Sequence, residues 1–111
     1  MQTIKELEVL DTLKAEKDAL LVLFGGQECN VCHAIKPKLI EMFSERFPKI
    51  EMVYIDCHLT TGICSQQSIF TLPVVQVYFG GQKFVEEIRS FSLSKLLDDC
   101  QRPYDLMFAG D

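Results

Sequence analysis

Cys29 and Cys32, separated by Asn30 and Val31, are the residues of this chain best suited to chemistry. Two intervening residues let a pair of sulfurs approach bonding distance once a first helical turn forms. A Cys-x-x-Cys pair therefore suits two-electron thiol–disulfide exchange. A buried-strand pattern precedes the pair and a helix pattern follows it. A helix N-terminus presents unpaired N–H groups and partial positive charge. Both stabilise a thiolate, which is the nucleophile in disulfide exchange. Cys29, at the outer end of the turn, is the expected nucleophile. Cys32, one turn in and better shielded, is the expected resolving thiol.

Three other chemistries compete for the same residues. Two inert buried cysteines would need no function, but the strand–turn–helix setting argues against that. Cys29-Asn30-Val31-Cys32-His33 also satisfies the pattern of covalent haem attachment. Such haem proteins are assembled after export, and the N-terminus mixes charges where an export signal carries an apolar core. Zinc would draw on Cys29, Cys32, Cys57 and His58. Adjacent residues such as Cys57 and His58 seldom point at one ion, and no second Cys-x-x-Cys is present. Neither a metal nor a cofactor is expected.

The elements that must position the pair are legible around it. Leu7, Leu10 and Leu13, with Ile4, form the apolar stripe of a helix over about residues 5–16. A short strand over residues 2–4 stays open, since nothing in the pattern decides for it. The run from Ala19 to Phe24, stopped by Gly25 and Gly26, reads as a strand buried on both faces. Ile35, Leu39, Met42, Phe43 and Phe47 mark a helix over about 32–47, kinked at Pro37 and ended by Pro48. Strands are expected over 50–56, 74–79 and 82–88. The last two are joined by Gly80-Gly81, a strong hairpin signal. A weaker helix is expected over 61–69, and Ser92 can cap a last helix carrying Leu93, Leu96 and Leu97. Alternating elements followed by a hairpin imply an α/β sandwich on a central mixed sheet, with residues 1–111 as one domain.

Composition agrees with a packed core. Of the 111 residues 48% are hydrophobic and 24% charged, and the net charge of -5 makes non-specific nucleic-acid binding unfavourable. The longest apolar run is too short to span a bilayer, so no membrane partner is expected. The N-terminus points to the cytoplasm, where structural disulfides are uncommon, and an odd cysteine count disfavours a fully paired scaffold.

Over nearly its whole length the chain resembles the thioredoxin family. The dithiol follows a buried strand. Pro37 stands five residues after Cys32, where thioredoxins kink their active-site helix. Thr71-Leu72-Pro73 precedes the hairpin and matches the family's cis-proline position, and Gly81 stands at the hairpin glycine. The resemblance implies a thioredoxin-like fold with helices on both faces of the sheet. It also implies that Pro73 is cis and faces the dithiol, leaving the backbone of Leu72 free to pair with an extended substrate. An ordinary trans proline opening a strand is the alternative.

The departures from the family are informative. Glu28 replaces the tryptophan before the first cysteine. Leu23 stands at the buried aspartate that assists proton transfer, and about Met52 at the nearby lysine. Asn30-Val31 replaces Gly-Pro between the cysteines, and Arg89 falls where a glycine precedes the last helix. Without the aspartate, proton transfer at Cys32 would rely on water or on His33, an imidazole suited to neutral pH; a plain solvent-exposed helix histidine is the alternative. Glu28 would disfavour a Cys29 thiolate and Arg89 favour it. The two rim charges would form an ion pair that narrows the substrate range, or be unrelated surface charges.

Cys57 and Cys64 bracket the weak third helix. Some animal thioredoxins carry similarly spaced cysteines that form a second disulfide, so the resemblance implies a second redox pair. Compartment and the burial habit of free cysteine favour two small apolar fillers. Cys100 reads as a packing residue, His58 as a loop residue, and the tail 102–108 as apolar enough to dock on the domain or on another subunit. The expected activity is a thiol–disulfide oxidoreductase of a monomeric protein. It acts on disulfide-containing protein substrates, takes electrons from a reductase or glutathione, and serves cell redox homeostasis. The alternative is a redox sensor or adaptor built on the same fold.

Overall fold

The computed structural model describes residues 1–89 and 92–109. Its elements are β1 (Gln2–Thr3), α1 (Leu7–Glu16), β2 (Ala19–Gly25), α2 (Asn30–Arg46), β3 (Glu51–Asp56), α3 (Thr61–Gln66), β4 (Val74–Phe79), β5 (Gln82–Ile88) and α4 (Leu93–Met107). The strands form one five-stranded sheet in the order β1-β3-β2-β4-β5. β2 pairs in parallel with β3 and antiparallel with β4, so the sheet is mixed.

β2 lies at the centre, and every one of its residues is buried. A strand covered on both faces has no solvent side, which is why its sequence is apolar without alternation. One face of the sheet packs Leu21, Leu23, Tyr54 and Val75 against Leu39 and Phe43 of α2, Phe47 just past its end, and Leu96, Leu97 and Cys100 of α4. The other packs Leu20, Val22, Phe24 and Ile55 against Leu10 of α1 and Ile63 and Cys64 of α3. The edge strand β5 has one covered face, and Val85 is its one buried residue. Gly80 and Gly81 turn the hairpin with φ of 60° and 81°, the doubly positive pair that a two-residue hairpin turn needs.

The structure decides several points of the sequence reading, some as expected and some not. β1 exists: Gln2 and Thr3 pair in parallel with Val53 and Tyr54, and the Ile4 N–H donates to the Tyr54 carbonyl at 2.8 Å. A two-residue edge strand with both residues exposed has no periodicity to read. α2 starts at Asn30 and runs through Pro37 to Arg46, with Phe47 as its C-cap and Pro48 just beyond. α3 stops at Gln66, three residues short of its expected end. Ser92 caps α4, its Oγ accepting the Lys95 N–H at 3.2 Å. The expected tail is the last part of that helix, which continues through Pro103. Tyr104 holds it down, its ring packed at a tilt against Phe47 and Phe108 with centroids 4.8 Å away in each case. Among the described residues no helix is long and apolar enough to cross a membrane.

Candidate active site

The C-terminal ends of β2 and β3 and the start of β4 converge at one edge of the sheet. Phe24 is the register partner of Val74, and continuing that antiparallel register sets Gly25 beside Pro73. On the other side the Gly25 carbonyl accepts the Cys57 N–H at 2.8 Å. The chain leaving β2 therefore enters α2 between the Leu72–Pro73 segment and the loop after β3.

Cys29 is the N-cap of α2, and the Cys32 backbone N–H donates to its Sγ at 3.3 Å. One of the unpaired donors of the helix start is thus aimed at the sulfur that must carry negative charge. Cys29 is half-buried while Cys32 is 1% exposed. The two are joined in a disulfide, with Cα atoms 5.3 Å apart. This asymmetry lets a large disulfide substrate reach only the first sulfur.

The Leu72–Pro73 peptide is cis. The Pro73 carbonyl accepts the Arg89 N–H at 2.7 Å, which ties the start of β4 to the end of β5. Arg89 holds φ of 67° there, the left-handed conformation that a glycine adopts without cost. Val31 and Phe70 are exposed apolar residues on loops or helix starts at this edge, 57% and 82% exposed. Asn30 is exposed at the first turn of α2.

The two rim charges do not pair: among the described residues no salt bridge joins Glu28 to Arg89. The Glu28 backbone N–H donates instead to Nδ1 of His58 at 3.2 Å, and the backbone N–H of the exposed Arg89 donates to the Pro73 carbonyl. His33 is exposed, and its Nε2–H donates to the Gln27 carbonyl at 2.8 Å. Its ring is turned toward the loop before the dithiol.

Three further residues shape the site, and sequence reasoning passed over two of them, Asp56 and Tyr54. His58 is a loop residue, as expected, and a Cβ added at Gly26 would stand 2.5 Å from its Nδ1. Its ring fills the space that glycine leaves and caps Glu28. Asp56 is buried, and its Oδ1 accepts the N–H groups of His58 and Leu59 at 2.9 and 3.1 Å, fixing the turn that presents His58. Tyr54 lies beneath the dithiol with the Lys36 ammonium 4.2 Å from its ring centroid. Burial first, and then the Asp56 carboxylate, hold the Tyr54 phenol above its usual range.

Cys57 and Cys64 are joined in a second disulfide, with Cα atoms 5.6 Å apart. This overturns the reading of both as apolar fillers: α3 begins soon enough after β3 to fold Cys64 back onto Cys57. Cys29, Cys32 and Cys57, three of the four residues weighed above for zinc, are all in disulfides. The second disulfide lines a pocket of about 210 Å³ shared with His58, Thr61, Phe70 and Leu72. Cys100 is free and buried in the α4 core, where burial pushes its thiol up to about 12.

The thioredoxin family model matches residues 2–101. The chain belongs to the thioredoxin family. Thioredoxin-like protein YdfQ of Bacillus subtilis is 31% identical over 78 residues, which cover 70% of this chain and 69% of YdfQ. Thioredoxin-2 of Pyricularia oryzae is 31% identical over 86 residues, 78% of this chain but only 48% of that longer protein. The oxidised mitochondrial thioredoxin 3 of Saccharomyces cerevisiae superposes with a TM-score of 0.77 at 20% identity, covering 89% of this chain and 94% of the yeast protein. At that identity the superposition establishes the thioredoxin fold. Family membership and a dithiol at bonding distance together support thiol–disulfide oxidoreductase chemistry.

Proposed function

We propose that residues 1–111 form one thioredoxin-like domain that reduces or exchanges disulfides in protein substrates by cycling Cys29 and Cys32. The observation that carries this reading is the half-buried Cys29 sulfur receiving the Cys32 N–H at the start of α2, with Cys32 buried behind it. In the reduced form the Cys29 thiolate attacks one sulfur of a substrate disulfide, and the other leaves as a thiolate. Cys32 then loses its proton and attacks Cys29. The Cys29–Cys32 disulfide forms, and the second substrate thiolate leaves and takes up the proton. The substrate gains two electrons and the dithiol loses two.

Leu72 precedes the registered ladder of β4, so its backbone is available to an extended substrate segment, with Pro73 below it. Glu28, Asn30, Val31 and Arg89 complete the rim. His33, with only Nδ1 open, would take part in proton transfer only through water. Cys57 and Cys64 make a second redox pair on the same face. A reductase or glutathione returns the electrons, and a cytoplasmic monomer acting in cell redox homeostasis fits the composition. A redox-sensing adaptor is the second reading, favoured by Leu23 and Met52 at the positions of the family's proton-handling aspartate and lysine. Turnover of a disulfide-bonded protein with an electron donor separates the two. Steady reduction by the wild type that is lost in Cys29→Ser supports the enzyme, and reduction no faster than the donor alone supports the adaptor.

A further inference from the structure

We infer that Tyr54 governs the ionisation of Cys32 when the mixed disulfide is resolved: its hydroxyl donates a hydrogen bond to the Cys32 sulfur as the thiol becomes a thiolate. This deepens the proposed dithiol cycle and rests on it for its place in the reaction.

The geometry converges on one small space. Leu23 of β2 and Tyr54 of β3 are register partners, and both face α2. Leu23 carries no proton chemistry, and neither does Met52, two residues before Tyr54 on the same face. Tyr54 does, and the residue is only 7% exposed. A Cβ built on Gly25 would stand 2.8 Å from the Tyr54 hydroxyl and 3.1 Å from Cys32 Cβ. The phenol oxygen and the stem of the resolving cysteine therefore border the same gap, which exists because residue 25 has no side chain. Among the described residues the hydroxyl has no hydrogen-bond partner. It has a proton to give, and the Cys32 side chain is across the gap from it.

The charges around the ring suit a donor. From α2 the Lys36 ammonium sits 4.2 Å from the ring centroid, which polarises the O–H and favours negative charge nearby. From β3 itself Asp56 acts in the opposite sense on the phenol, and with burial it keeps the group protonated. β2 carries no titratable side chain. Tyr54 thus remains a neutral O–H through the cycle. In the resolving step the Cys32 proton leaves toward solvent or the departing substrate thiolate, and the Tyr54 proton stays on oxygen while bonding to the sulfur. No net proton is taken from Tyr54. A hydrogen bond to an ionised sulfur is stronger than one to a thiol, so it shifts Cys32 toward the attacking form.

The test is Tyr54→Phe in the full chain, which keeps the ring and the Lys36 contact and removes one oxygen. In a Cys29→Ser background, with Cys57–Cys64 left oxidised, the alkylation rate of Cys32 against pH reads its ionisation directly. The midpoint is expected to rise by about one pH unit in Tyr54→Phe, about a tenfold loss of thiolate near neutrality. With both active cysteines present, resolution of the mixed disulfide should slow by about the same factor while its formation is unchanged. Lys36→Met should move the midpoint the same way. An unmoved midpoint in Tyr54→Phe overturns the inference, whether or not turnover falls, and so does a downward shift in Lys36→Met. A wild type that reduces no substrate would overturn the proposed function, while the Cys32 midpoint would still decide the role of Tyr54.

Discussion

Gly26→Ala probes the contact that holds the loop in front of the dithiol. The three atoms nearest to a Cβ at this position all belong to the His58 ring, with Nδ1 at 2.5 Å and Nε2 at 2.8 Å. The ring is exposed and can swing away, so the cost is the bond it gives up: the Glu28 N–H to Nδ1 contact at 3.2 Å. A hydrogen bond of this kind contributes about 1 kcal/mol, and replacing a glycine by alanine returns about 0.4–1 kcal/mol where the backbone permits it. His58→Ala loses the same bond without any clash. Once His58 is gone, adding the methyl at Gly26 should cost nothing and even stabilise. The two changes should therefore be coupled by about 1 kcal/mol, well above the roughly 0.3–0.5 kcal/mol scatter of independent sites. Urea unfolding of the wild type, both single variants and the double variant measures this. Additive losses within that scatter would show that the His58 ring neither fills the space of Gly26 nor caps Glu28.

Other expectations follow from the same structure. The Cys57–Cys64 bridge closes a sequence separation of seven, for which loop-closure entropy gives about 2.4 kcal/mol. Cys57→Ser with Cys64→Ser should lower unfolding stability by about that much under oxidising conditions and leave it unchanged under dithiothreitol; equal stability in both conditions would deny the bridge. Arg89→Gly should raise stability by about 0.5–1 kcal/mol, because φ of 67° costs an arginine what it does not cost a glycine. A loss on thermal unfolding would mean that the side chain makes contacts worth more than the backbone relief. Burial raises the Cys100 thiol from 9.0 to about 12, so the folded chain ionises it less readily than the unfolded chain. Its contribution is intact below pH 9.0 and declines as pH rises toward 12, by about 1.4 kcal/mol per pH unit. Cys100→Val should flatten that decline in urea titrations from pH 8 upward; an unchanged slope would contradict the buried thiol.

The parts of the fold legible in the sequence are those that local pattern encodes. β2 announced itself by an unbroken apolar run because both its faces are covered, and β4 and β5 by the two glycines between them. The dithiol was legible because thiol spacing is a property of a few adjacent residues, while the cis conformation of Pro73 came from the family resemblance. The rest depended on pairing across the chain. β1 is two residues long and exists through its ladder with Val53 and Tyr54. His58 meets Glu28 across thirty residues. Nothing in its own neighbours separates a ring that fills a glycine's space from a free loop side chain. The Cys57–Cys64 bridge was a matter of spacing without a turn to fix it, and compartment arguments tilted the reading the wrong way. The Glu28–Arg89 pair was drawn from family geometry. It fails because the loop is held by its backbone to His58, while Arg89 is tied by its backbone to Pro73. α4 outran its expected end because Tyr104 packing on Phe47 outweighs the helix-breaking effect of Pro103.

The most direct test of a dithiol cycle led by Cys29 is to trap its intermediate. Cys32→Ser removes the resolving thiol, so a disulfide-bonded protein added to the reduced variant should remain attached. Peptide mass mapping is expected to find that adduct on Cys29, released by dithiothreitol. No adduct, or one carried by Cys57 or Cys64 with Cys29 free, would contradict the assignment of Cys29 as the nucleophile.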